Sequence, residues 1–204
     1  MNRAVSLLFA SLLVACSSVP PPAEPEALGE IVAIEGFPAA QRDGSRYIVA
    51  EQSRIYAGDI LTTNTESRLE LQLSDGSRVA IGPGTQVLVQ AFREARVLQL
   101  NLTRGALFID LAEDLRLRLR SSIANVSLNS GRGIAIIRRN ILDAAVIEGG
   151  PMVVANDDGQ VTLAGVLQGT TAIGGSAPQA PFAWTGRRLD RETSEIRVLT
   201  NLSP

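Results

Sequence analysis

Few groups in this chain are able to do chemistry: it has one cysteine and no histidine, and its basic residues are all arginine. Without histidine there is no ordinary general base, no serine or cysteine triad of the usual kind and no imidazole for a zinc site. Without lysine there is neither a Schiff base nor a Ser-Lys dyad. Carboxylates remain, and Glu113-Asp114 and Asp157-Asp158 are the close acidic pairs. Two acids can in principle cleave a glycoside, but neighbours on a strand point to opposite faces, and Asp157-Asp158-Gly159 has the composition of a turn. The expectation is a protein that is not an enzyme and uses neither metal nor cofactor.

Binding chemistry is better represented. In Leu115-Arg116-Leu117-Arg118-Leu119-Arg120, a strand would send the leucines into a core and set Arg116, Arg118 and Arg120 on one face, about 6.6 Å apart. Such a ladder is either a solvated face opposite acidic neighbours or a contact for phosphate or carboxylate groups of lipopolysaccharide, wall polymer or a protein partner, since guanidinium forks suit those groups. Arg138-Arg139 and Arg187-Arg188 are weaker versions. Trp184, with Phe182 beside it, is either an aromatic contact or the cap on the open end of a core. The net charge of −2 gives no sign of a nucleic-acid partner.

The lone thiol has a definite use. Residues 1–15 have one positive charge, Arg3, and an apolar stretch too short to span a bilayer, which is the pattern of a signal peptide. Leu13-Val14-Ala15-Cys16 resembles the bacterial lipobox, so Cys16 is expected to be lipidated and to become the first residue of the mature chain. Several acyl chains on one cysteine hold a protein on a membrane stably. Ser17 stands where an aspartate would retain a lipoprotein in the inner membrane, so the expected location is the periplasmic face of the outer membrane. Residues 16–29 are rich in proline and poor in large apolar side chains, an extended tether.

The elements that must position these groups are strands. From Ile31 onward apolar residues recur at period two. Leu69, Leu71 and Leu73 share one face, with Arg68, Glu70 and Gln72 on the other. Asp75-Gly76 closes a tight turn, Val79 and Ile81 follow, Gly82-Pro83-Gly84 turns again, and Val87 and Val89 resume. Leu98, Leu100 and Leu102 lead to a turn at Arg104-Gly105, then Leu107, Ile109 and Leu111. This makes residues 30–173 an all-β domain, whether a solenoid-like stack, a sandwich or a barrel. Residues 174–204 read as a linker and a C-terminal extension, with a short helix or turn at 187–192.

Ala57-Gly58-Asp59-Ile60-Leu61-Thr62, the strand Leu69-Glu70-Leu71, and Asp75-Gly76-Ser77-Arg78-Val79-Ala80-Ile81-Gly82-Pro83-Gly84-Thr85 resemble the core of the FecR-type domain. The likeness extends loosely over residues 29–169. It implies a twisted, β-solenoid-like stack of short strands, with a β-sandwich as the alternative. Family members in their best-known setting are single-pass inner-membrane regulators that restrain a sigma factor and listen to an outer-membrane receptor. This chain is expected to replace the membrane helix and cytoplasmic segment by a lipidated cysteine, so the sigma-factor role is not carried over. The expected function is contact with another envelope component or sensing in the envelope; polysaccharide or peptidoglycan binding, a structural place in an envelope machine, and a regulator related to anti-sigma sensors are the alternatives.

Overall fold

A computed structural model describes residues 26–93 and 96–198. The signal peptide, Cys16 and most of the tether lie outside the described residues. The chain forms strands β1 (Ala27–Glu35), β2 (Ala39–Arg42), β3 (Ser45–Ile48), β4 (Arg54–Tyr56), β5 (Ile60–Thr62), β6 (Arg68–Leu73), β7 (Arg78–Ile81) and β8 (Gln86–Arg93). It continues through β9 (Val97–Leu111), β10 (Arg116–Arg120), β11 (Asn125–Leu128), β12 (Gly131–Arg138), β13 (Ile141–Gly149), β14 (Met152–Asn156), β15 (Gly159–Leu163), β16 (Gln168–Ile173) and β17 (Phe182–Ala183) to helix α1 (Gly186–Ile196). Among the described residues the fold is all-β apart from this helix.

The strands lie in two layers. The front sheet has the order β4-β1-β6-β7-β9-β12-β13-β16-β17. The back sheet has the order β3-β2-β5-β8-β9-β10-β11-β14-β15. Both orders follow the sequence apart from the first few strands, so the chain winds from one end of the stack to the other, leaving hairpins alternately in front and behind. Period-two patterning supplies the interior: Leu69, Leu71 and Leu73 of β6 and Leu117 and Leu119 of β10 join one core between the layers.

β9 belongs to both sheets. Its first half pairs with β8 and β10 at the back and its second half with β7 and β12 in front. The turn expected at Arg104-Gly105 is therefore a kink within one continuous strand. Gly105 adopts φ +94°, and a Cβ there would collide with Thr85, so only glycine allows the strand to cross so close to its neighbour. The Asp75-Gly76 and Gly82-Pro83-Gly84 turns stand where the sequence puts them.

A second, smaller core lies on the outer face of the front sheet. Ala80, Phe108, Ile134, Ile136 and Ala145 pack there against Trp184 and Ile196. This explains the apolar run of β12, which is covered on both faces. Residues 174–204, expected as a linker and extension, thus contribute β17, Trp184 and α1 to this cover. Thr185 caps α1, its side chain accepting from Arg188 N–H.

Candidate functional site

β10 carries the arginine ladder as the sequence proposes. Leu117 and Leu119 are buried, and Arg116, Arg118 and Arg120 are exposed on the outer face of the back sheet. The neighbours are not acidic. On β9, Arg116 is opposite Val97, Arg118 opposite Gln99 and Arg120 opposite Asn101; on β11, Arg118 is opposite Ser127. Asp114, the nearest acid along the chain, lies 3.5 Å from Arg96. Among the described residues none of the three arginines has a carboxylate within ion-pair distance. Among the described residues the acidic neighbours of the plainer sequence reading are not found, and the face offers guanidinium groups beside amides and a hydroxyl.

Several other arginines are engaged in structure. Arg42 donates to both oxygens of fully buried Asp59, at 2.6 and 2.7 Å, while Asp59 also accepts from Tyr56 N–H at 2.9 Å. The guanidinium lies 4.1 Å from the Tyr56 ring centroid. Two more buried carboxylates, Glu70 and Glu192, meet Arg197 at 3.4 Å and Arg138 at 2.6 Å and so fasten the α1 segment to the front sheet. Burial alone would push the Glu192 carboxyl up, but the hydrogen bonds from Arg138 and Arg191 outweigh it and hold its pKa below the ordinary value of 4.5. Sequence reasoning missed these clasps.

Trp184 is not a surface contact. It is 2% exposed, its ring covered by the Arg188 guanidinium at 4.0 Å, and Arg188 pairs with Asp143 at 3.0 Å. The core-cap reading of Trp184 is the one the geometry supports. Cys16 lies outside the described residues. The acidic pairs Glu113-Asp114 and Asp157-Asp158 both fall in turns, and no cluster of potential metal ligands occurs among the described residues.

The motif residues have structural work in the stack. Thr63 Oγ1 donates to Gly82 O at 2.6 Å and accepts from Thr85 N–H at 2.9 Å, and Thr85 Oγ1 accepts from Ala106 N–H at 2.9 Å. The Gly82–Thr85 turn is thereby stitched to the kink of β9. Fold and surface together define a two-layer β stack with a bare arginine face and no assembled catalytic group among the described residues. Residues 59–170, more than half of the chain, match the family model described as FecR protein, and the chain belongs to the FecR family.

Two crystal structures of a candidate anti-sigma factor from Parabacteroides distasonis, at 1.65 and 2.50 Å resolution, share the fold with a TM-score of 0.55. Identity is 12% and 13%, and the match covers 64% of this chain and 62% of each of those chains. Comparison with curated proteins finds no match.

Proposed function

We propose that this FecR-family chain is a non-catalytic contact and sensing module of the bacterial envelope, held at the periplasmic face of the outer membrane through a lipidated Cys16. It engages an acidic surface of a partner protein through the outer face of the back sheet. The observation that carries this reading is the ladder of Arg116, Arg118 and Arg120, exposed, flanked by uncharged side chains and without a carboxylate partner among the described residues. In a chain of net charge −2, three aligned cations left uncompensated favour a partner that supplies the negative charge. Family membership supports a regulatory role, as does the likeness to a candidate anti-sigma factor.

The test is copurification from crosslinked cells with wild type and the R116Q/R118Q/R120Q variant. A defined protein partner lost with the variant supports the reading. The same proteins recovered with both overturn it. Retention of wild type, but not the variant, on purified lipopolysaccharide or sacculi, with no protein partner, replaces it by polymer binding. Exposed charges contribute little to stability, so the variant should melt with the wild type.

A further inference from the structure

A second cationic feature is only partly visible in the sequence: Arg138-Arg139 stands out as a weaker anion contact, but Arg68 and Arg104 join it from distant strands. Between the C-terminal end of α1, the kink of β9 and the Gly82–Thr85 turn lies a cleft of about 560 Å³, within the range of ligand sites, roughly 300–1,000 Å³. Arg68, Arg104, Arg138 and Arg139 line it, with Glu195 and Ile196 of α1 on one wall. Arg68 and Arg138 are held in place: Arg68 lies 3.1 Å from Glu35 and donates to Ser194 O at 3.0 Å, and Arg138 lies 2.6 Å from Glu192 and 3.5 Å from Glu195. Arg104 and Arg139 are exposed and have no carboxylate at ion-pair distance among the described residues.

We propose that this cleft is a binding site for a small molecule or terminal group bearing a compact oxyanion, phosphate or carboxylate, clamped by Arg104 and Arg139 with Arg138 beside them. Concavity separates it from the ladder: arginines of β9, β12 and the β12–β13 turn line one cleft, whereas the ladder lies along a single strand. Planar forks engage oxyanions through paired, charge-assisted hydrogen bonds. An entering anion competes with Glu195 for Arg138, since that contact is the longer of the two Arg138 makes, and leaves the Glu192 clasp intact. The site is independent of the partner face on β10.

The experiment is isothermal titration calorimetry of the full chain, solubilised in non-ionic detergent, with inorganic phosphate and separately with citrate, at low salt. Saturable binding of at least one anion is expected, with phosphate or citrate preference distinguishing the two chemistries. R104Q/R139Q should weaken it by about tenfold or more, the effect of losing one or more hydrogen bonds between charged groups, whereas R116Q/R118Q/R120Q should bind as wild type. Absence of saturable binding to both anions, equal binding by R104Q/R139Q, or loss confined to the ladder variant overturns the proposal. Both substituted side chains are exposed, and an unchanged melt verifies that the variant is folded.

Discussion

Replacing Gly105 by alanine tests the crossing of β9 from one sheet to the other. Two costs add. A residue other than glycine at φ +94° meets backbone strain of about 1–2 kcal/mol. The new Cβ also runs into the backbone and side chain of Thr85, so Thr85 must shift away from Ala106. Its hydroxyl accepts from Ala106 N–H at 2.9 Å in a buried setting, and a buried donor left unpaired costs about 1–3 kcal/mol. The total is about 2–5 kcal/mol, which in a chain of this size lowers Tm by roughly 5–15 °C. Gly76→Ala is the control: Gly76 has nearly the same φ, +91°, with nothing within 4 Å of an added Cβ, so it should incur the strain alone, about 1–2 kcal/mol. The assay is thermal unfolding of both variants and wild type by circular dichroism. Equal shifts for the two variants would refute the packing argument at the kink, and overlay of Gly105→Ala with wild type would remove the kink itself.

Further outcomes follow from the second core and the anchor. Gly169→Ala forces a methyl group into the Trp184 indole and should cost about 1–3 kcal/mol by overpacking, with a red shift in emission from the chain's only tryptophan; unchanged emission would place the indole elsewhere. Because the Glu192 pKa is lowered in the folded chain, its contribution is complete above the ordinary value of 4.5 and is lost as pH falls below that value through the folded one. Wild type should therefore loosen α1 in that window, seen in Trp184 emission, and E192Q should be less stable at neutral pH and lack that component; identical pH profiles would count against the clasp. Cys16→Ala should release the protein from the membrane fraction or leave it unprocessed, and flotation in wild-type amount would defeat the lipid-anchor proposal.

Local patterning made the strands legible, and long-range pairing hid the rest. Alternation placed Leu69, Leu71 and Leu73, and Leu117 and Leu119, in the core, because a strand at the surface of a layer must divide its side chains between interior and exterior. The same signal, followed more closely, reports the β9 kink: inward leucines run at even positions through Leu102 and at odd positions from Leu107, a change of parity that marks a strand shifting its face without reversing. A glycine with positive φ serves both purposes, and the sequence alone favoured the turn. Glu70 and Glu192 look like ordinary surface acids because Arg197 and Arg138, which neutralise them, lie 127 and 54 residues away. The arginine cleft is half visible: the Arg138-Arg139 pair stands out, while Arg68 and Arg104 reach it only through the fold. The ladder was legible because all three of its arginines sit on one strand; its uncharged sheet neighbours were not, since Gln99, Asn101 and Ser127 reach it only through sheet pairing.

The most direct measurement of the contact function places a photoreactive amino acid at Gln99, beside Arg118 on the outer face of the back sheet, and irradiates living cells. A discrete crosslinked protein band is expected from this position, absent when Arg116, Arg118 and Arg120 are all glutamine and absent from a control probe at Asp158 in the β14–β15 turn. No band from Gln99, or the same band from Asp158 and from the triple variant, would contradict the assignment of this face as the partner surface.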